Sequence, residues 1–258
     1  MIRPSCSWTV AAAAALLSAM ATPAVHAESH AESDKWRWTG KLYLWASGIK
    51  GTTITGGEID VEFDDLVDNL DFALMGGVEA SNGTWSFIGD LIYMDLEGEE
   101  TSSLPGPGPG QRQAKGQLEG WVVNMLGAYR FGDTDRATAD LIFGGRYLDI
   151  DVKIDVTNNL PPPFPGGNSF SGGDSVIDAV VGLRGGIKLS ESFYVPYIVD
   201  VGKGESDLTW QAMVGIGWRP AWGEITLAYR QIEWEFDSGA LQDIGFKGPG
   251  LMFKYNFN

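Results

Sequence analysis

Polar and apolar residues alternate through most of this chain. Between Trp36 and Ala46 the uncharged set Trp36, Trp38, Gly40, Leu42, Leu44 and Ala46 interleaves with Arg37, Thr39, Lys41, Tyr43 and Trp45. A period of two places each set on its own face of a strand, whereas an amphipathic helix repeats near 3.6. Nine further segments carry the pattern, at 71–80, 85–97, 116–131, 136–150, 176–189, 193–201, 208–219, 224–235 and 249–257. Each contains a run of alternate positions free of charge; examples are Trp85/Phe87/Gly89/Leu91/Tyr93, Leu208/Trp210/Ala212/Val214/Ile216/Trp218 and Leu251/Phe253/Tyr255/Phe257.

The connections separate one β architecture from another. Tight turns follow the even-numbered segments: Asn82-Gly83, Gly132-Asp133-Thr134-Asp135, Ser190-Glu191-Ser192 and Pro220-Ala221-Trp222-Gly223. Longer stretches follow the odd ones, at 48–70, 98–114, 151–175, 202–207 and 237–247. Short turns on one side and long loops on the other are the asymmetry of outer-membrane barrels, whose turns lie in the periplasm. Hydrocarbon offers no partner to a backbone N–H or C=O, so a β structure crosses it only as a closed barrel with an uncharged outer face. The expected fold is all-β: a single transmembrane, antiparallel, up-and-down barrel of about ten strands spanning 36–258. The aromatics fall into two girdles, with Trp36, Trp38, Trp85, Tyr129, Phe131, Trp218, Tyr255 and Phe257 at the periplasmic edge and Phe72, Tyr93, Trp121, Tyr147, Trp210 and Tyr229 toward the outer edge. Such belts anchor a protein at both membrane interfaces.

The first 27 residues differ in kind. Arg3, the apolar run Val10–Met20 and the small-x-small end Val25-His26-Ala27 form a cleavable secretory signal, followed by a polar tail at 28–35. Cleavage removes the chain's one cysteine, Cys6, and with it thiol and disulfide chemistry. With 18 basic and 34 acidic residues the net charge is −16, and loss of Arg3 makes it −17. Such a chain lacks the basic surface that releases phosphate counterions, which excludes nucleic acid as a partner.

Fourteen charges inside the alternating segments fall on the face opposite the apolar one, toward the lumen. Nine are basic (Arg37, Lys41, Arg130, Arg146, Arg184, Lys188, Arg219, Arg230 and Lys254) and five acidic (Glu79, Asp90, Asp140, Asp178 and Asp200). A ten-strand barrel is narrow, and an unpaired buried charge is costly, so these groups are expected to pair. Two arrangements satisfy that: a filled polar lumen, or a narrow pore whose periplasmic mouth is ringed by Arg37, Arg130, Lys188, Arg219 and Lys254 and favours small anions.

Three features mark the expected outer loops. Glu58, Asp60, Glu62, Asp64, Asp65, Asp68 and Asp71 form an acidic run in which Phe63, Leu66, Val67 and Leu70 have helical spacing, predicting a short helix at the rim or in the mouth. The run reads either as a solvated face or as a place for divalent cations, including Mg²⁺ or Ca²⁺ bridges to lipopolysaccharide phosphates. Pro105–Gly110 and Pro161–Gly167 resist regular structure.

The ending Gly250-Leu-Met-Phe-Lys-Tyr-Asn-Phe257-Asn258 resembles the carboxy-terminal assembly signal of outer-membrane barrels, here with Asn258 after the final Phe. The stretches Leu42–Thr52, Asp68–Phe72, Gly89–Tyr93 and Tyr194–Met213 are similar to a largely uncharacterised family of proteobacterial outer-membrane β-barrel proteins, small barrels of porin-like or OmpA-like type. The resemblance implies an outer-membrane location, contact with membrane lipid and lipopolysaccharide, and the barrel assembly machinery as a partner. It transfers no catalytic motif and no cofactor. Enzymes among such barrels resemble one another in using a rim histidine as base. This chain has two histidines: His26 leaves with the signal and His30 precedes the first strand. Metal sites built on His or Cys are excluded on the same count. The adjacent pair Glu99 and Glu100 is the remaining catalytic candidate. The expectation is therefore a non-enzymatic barrel with a structural or surface-interaction role, with a narrow passive channel for small polar or anionic solutes as the alternative and a loop-carboxylate enzyme third.

Overall fold

A computed structural model describes residues 35–53, 56, 58–61, 70–103, 111–158, 167–239 and 241–257. The expected signal at 1–27, the tail up to 34, the rim helix at 63–69 and most of both Pro-Gly stretches lie outside the described residues. Twelve strands are present: β1 (Arg37–Trp45), β2 (Gly48–Thr53), β3 (Glu58–Val61), β4 (Leu70–Ser81), β5 (Trp85–Ser103), β6 (Gln111–Asp133), β7 (Ala137–Asn158), β8 (Gly167–Lys188), β9 (Phe193–Gly204), β10 (Leu208–Trp218), β11 (Glu224–Glu235) and β12 (Leu241–Phe257). All pairings are antiparallel between neighbours, and β1 closes the sheet by pairing β4 on one side and β12 on the other. β2 continues β1 along β12, so the two form one barrel strand and the wall has ten.

The break between β1 and β2 has a local cause. Ala46 and Ser47 lie opposite Gly248 and Pro249 of β12. Proline has no N–H to donate, so the ladder cannot run through it unbroken. Ala46 N–H instead reaches the Pro249 carbonyl at 2.8 Å, and the Trp45 indole N–H donates to the Gly248 carbonyl at 3.1 Å.

Three of the four tight turns are stapled alike, by a side-chain oxygen that accepts the N–H three residues on. Asn82 Oδ1 takes Trp85 N–H at 2.8 Å, Thr134 Oγ1 takes Ala137 N–H at 3.0 Å, and Ser190 Oγ takes Phe193 N–H at 3.1 Å. Gly83, at φ 92, supplies the left-handed residue that the first turn needs.

Alternation sorts the side chains as expected. Leu44 is 73% exposed, Met125 66% and Val214 55%, while Asp90, Asp140, Arg146, Asp178 and Asp200 on the opposite face are buried. Leu183, Val214 and Phe253 lie on the outer face.

Two expectations need correction. The stretches 98–114 and 151–175 are largely strand rather than loop: β5, β6, β7 and β8 run for 19, 23, 22 and 22 residues. About 9 to 11 tilted residues cross a bilayer, so these four rise roughly ten residues beyond it, about 25 Å at an ordinary barrel tilt. Alternation persists in them, for example Glu97/Glu99 against Leu96, but charge replaces the apolar side of the pattern, which disguised them as loops. Residues 48–53, 58–61 and 241–248 are likewise strand.

The second correction concerns the interior, which is ionic only in part. Toward the outer side it is filled by Trp45, Ile92, Leu148, Ile150, Ile232, Trp234, Phe236, Leu241, Ile244 and Phe246, among others, in one buried cluster. These residues share the inward face with the charges, one or two turns of alternation further out. A smaller cluster of Ile88, Leu126, Ala128, Ile142 and Val180 lies nearer the periplasm.

Val214→Lys puts a charge in the middle of the outer belt and is expected to cost about 2–4 kcal/mol, whereas Asp151→Lys in the protruding sheet should change stability by no more than about 0.5 kcal/mol. Urea titration of folding into lipid vesicles measures both.

Candidate functional site

Between the two apolar clusters, six side chains from six strands close a ring across the lumen. Arg230 (β11) donates to Asp90 Oδ2 (β5) at 3.3 Å and to Gln211 Oε1 (β10) at 2.6 Å. Gln211 Nε2 donates to Asp200 Oδ2 (β9) at 2.9 Å, and the other oxygen of Asp200 accepts from Arg146 Nη2 (β7) at 2.7 Å. Arg146 Nε donates to Asn124 Oδ1 (β6) at 2.8 Å, and Asn124 Nδ2 returns to Asp90 at 3.5 Å. Lys41 adds an ion pair to Asp90 at 2.8 Å, and the Tyr43 hydroxyl bonds the same carboxylate. Arg146 Nη1 donates to the Thr209 hydroxyl at 3.1 Å.

The Arg146 and Asp200 side chains are completely buried. Charges held so far from water persist only when mutually paired and hydrogen-bonded, and this ring satisfies both. Apolar material follows directly: the Arg146 guanidinium lies 5.9 Å from the Trp234 ring centre and that of Arg230 lies 5.2 Å from the Trp45 ring centre. The ring thus floors the outer aromatic cluster.

A second network lies at the periplasmic end. Arg184 grips Glu79 with two donors, at 2.9 and 2.6 Å, and reaches Asp140 at 3.2 Å; Arg130 meets the same Asp140 at 2.9 Å. Glu224 collects Arg219 at 3.1 Å, Lys254 at 3.5 Å and the Tyr194 hydroxyl at 2.6 Å. The Arg219 guanidinium stacks 3.9 Å from the Tyr194 ring centre. Tyr194 fits because Gly217 faces it: a Cβ there would come within 2.1 Å of the ring.

Of the sequence-derived lumen charges, Lys41, Asp90, Arg146, Asp200 and Arg230 meet in the central ring, and Glu79, Arg130, Asp140, Arg184, Arg219 and Lys254 meet below it. Asp178 accepts from the Ser206 N–H and hydroxyl, at 3.0 and 2.8 Å, and so ties β8 to the β9–β10 turn. Lys188 pairs with Glu191 at the periplasmic surface, and Arg37 is exposed at the start of β1. Four of the five cations expected to ring a periplasmic mouth therefore have acidic partners. Sequence reasoning missed Glu224, the first residue of the segment 224–235, as a lumen charge. It also missed Asn124, Thr209 and Gln211, whose inward alternation positions were the available signal.

At the outer side, Phe236 and Leu241 carry the β11–β12 connection into the aromatic cluster, and Leu241 N–H donates to Asp174 of β8 at 3.2 Å. The connection also touches the β9–β10 turn, where the Asp207 and Asp237 carboxyls share a hydrogen bond. It holds Asp207 below and Asp237 above the usual carboxylate range. Glu99 is taken up by Lys115 and Gln113 of β6, whose hydrogen bonds lower its pKa. The acidic run at 58–71 lies mostly outside the described residues, and among the described residues no group of three or more His, Cys, Asp or Glu could hold a metal.

A closed antiparallel barrel with an uncharged belt outside and its charges inside defines an integral outer-membrane β-barrel, and this chain is one. Comparison with known proteins agrees at the level of fold. No protein-family model and no curated protein sequence matches the chain. Among solved structures, the outer-membrane protease OmpT from Escherichia coli matches at 11% identity with a TM-score of 0.50, covering 90% of this chain and 99% of that one. The translocator domain of the autotransporter NalP from Neisseria meningitidis follows at 12% identity and 0.43, covering 86% and 88%. The toluene transporter TodX of Pseudomonas putida matches at 11% and 0.32, covering 87% and 90%.

Arg146→Met strands Asp200 in the interior and is expected to destabilise the barrel by about 3–5 kcal/mol. Adding Asp200→Leu should restore part of that loss, giving a coupling of about 0.5–3 kcal/mol between the two sites; a double-mutant cycle of folding free energies in vesicles measures it.

Proposed function

We propose that this protein is a non-enzymatic, non-conducting outer-membrane barrel that works at the cell surface through the sheet formed by the outer ends of β5–β8. The observation that carries this reading is the lumen: a hydrogen-bonded ring of six side chains spans it, and a buried aromatic and aliphatic cluster rests on that ring. A solute would have to break buried ion pairs and part packed apolar side chains, and among the described residues nothing in that layer supplies a hydrated path.

The protruding sheet has the character of a recognition surface. Its outward face carries Glu97, Glu99, Glu119, Asp149, Asp151 and Asp155 against Lys115 and Lys153, so it suits a cationic partner. Membrane-spanning duty ends near Tyr93, Trp121 and Tyr147, and the strands continue without it. The catalytic alternative has little support, because Glu99 is engaged by Lys115 and Gln113 and both histidines lie before the first strand. A narrow anion pore has one observation in its favour, the three cations of the central layer (Lys41, Arg146, Arg230) against two carboxylates, and it requires that layer to open.

Purified protein in planar bilayers is expected to give no single-channel steps and no solute swelling of vesicles; discrete steps would establish the pore instead. Cells displaying the protein should bind a cationic peptide surface, and reversing Glu97, Asp151 and Asp155 to lysine together should abolish that binding while the unboiled protein keeps its altered gel migration.

A further inference from the structure

The protruding sheet of β5–β8 ends on β8 at an edge that β9 does not follow. The ladder between β8 and β9 stops at the Asp178–Gly204 pair. One step further out, Ile177 N–H donates to a Glu205 carboxylate oxygen at 2.9 Å and the Ile177 carbonyl accepts Glu205 N–H at 3.2 Å. Backbone groups of alternate residues share one side of a strand, so Ser175, Gly173, Ser171 and Ser169 turn theirs to the same side as Ile177. Among the described residues no strand pairs with them there, and each is exposed. From Gly167 to Ile177 the strand holds no lysine, arginine or proline, and its pairing with β7 runs without a bulge. Lysine, proline and bulges are what ordinarily close an edge to other chains. The opposite edge of the sheet, β5 beyond Leu96, is instead charged at Glu97, Glu99 and Glu100.

The side chains beside the β8 edge fix what it accepts. On the outward face β8 contributes only Ser169, Ser171, Gly173 and Ser175 here, and their partners on β7 are Asp155, Lys153, Asp151 and Asp149, three carboxylates to one ammonium. A strand added beside β8 would lie about 4.8 Å from it and roughly 10 Å from β7. Serine and glycine leave the space between them open. The Asp151 carboxylate already leans across it: a Cβ on Gly173 would stand 2.5 Å from Asp151 Oδ1. Asp149 accepts the Tyr147 hydroxyl at 2.6 Å, whereas Asp151 and Asp155 are in no ion pair among the described residues. A long basic side chain on an added strand would end beside those two carboxylates. A second copy of this chain would bring the same acidic face alongside and meet like charge.

We propose that the β8 edge from Ser169 to Ser175 is a docking site for an extended polypeptide that adds as an antiparallel strand, with lysine or arginine at alternate positions reaching over β8 to Asp151 and Asp155. Backbone hydrogen bonds supply the affinity, and the carboxylates select the side chains. Antiparallel order continues that of β7, β8 and β9 and is the more stable pairing per residue. This mode of binding rests on the surface role proposed above for the sheet.

The test uses the whole protein folded in phosphatidylcholine nanodiscs and a short fluorescent peptide of alternating lysine and valine, with binding read by anisotropy. In an antiparallel added strand whose lysines lie on the outward face, the lysine N–H groups face β8 and the valine N–H groups face solvent. Methylating the lysine backbone nitrogens is therefore expected to weaken binding about tenfold or more, because several backbone hydrogen bonds are lost. The same number of methyl groups on the valine nitrogens should leave affinity within about twofold. Ser171→Pro removes an edge N–H that β7 does not use, and should abolish binding while the unboiled protein keeps its altered gel migration. Asp151→Asn with Asp155→Asn should weaken binding several-fold. Equal binding of the two methylated peptides overturns strand addition and leaves the acidic surface reading standing, without recourse to any variant. Absence of binding by all the peptides overturns both. Dimerisation of the protein that Ser171→Pro abolishes would give the edge to a second copy and overturn the proposal as well.

Discussion

A backbone that enters hydrocarbon must pair every N–H and C=O with itself, and everything else in this molecule follows from that. The pairing of Trp38–Trp45 with Gly250–Phe257 closes the wall and removes the free edge. Closure then divides each strand into a lipid side and an enclosed side. Charges are expelled from the first and, in a ten-strand barrel, have little water on the second. They are stable there only by meeting one another, which is why Asp90, Arg146, Asp200 and Arg230 are connected through Asn124 and Gln211 in place of water.

The same ring fixes the register of the strands that hold it. Sliding one strand by a single residue would turn its inward charge toward lipid and its belt residue inward. Since six strands contribute to the ring, the register of each is checked by partners on two others. The apolar clusters above and below add contact area but far less direction, because packing of Ile92, Leu148 or Ile232 is less particular than a two-oxygen, two-donor geometry.

Outside the bilayer the closure requirement lapses, and the architecture changes at that level. β5–β8 continue as an open four-stranded sheet, while β4 stops at Leu70 and β9 at Gly204. The pairing of β8 with β9 starts at Asp178, so among the described residues no strand is paired to that edge of β8 between Gly167 and Ile177. Glu205 partly covers it by accepting the Ile177 N–H at 2.9 Å. Water can solvate such an edge, as hydrocarbon cannot. The acidic outward face of the sheet also opposes edge-to-edge association.

The sequence by itself determined the strand class, the antiparallel order, the short turns and the two faces. These are local properties: a period of two, a turn residue such as Asn82 or Gly83, and the exclusion of charge from hydrocarbon leave their mark within a few residues. It also marked which charges point inward, because alternation decides that one position at a time. The composition of the lumen was settled only by the tertiary structure. Trp45, Trp234 and Phe246 come from opposite ends of the chain, and nothing near any of them signals that they meet above Arg146 and Arg230. Glu224 reads as the unremarked first residue of its strand until Lys254 and Tyr194 are brought beside it. The outer ends of β5–β8 escaped for a related reason: away from lipid, alternation of polar with apolar residues weakens, and only pairing with a neighbouring strand shows that residues 98–103 or 151–158 are sheet. Periodicity is a property of one strand, whereas the ring, the plug and the protruding sheet are properties of strands in contact.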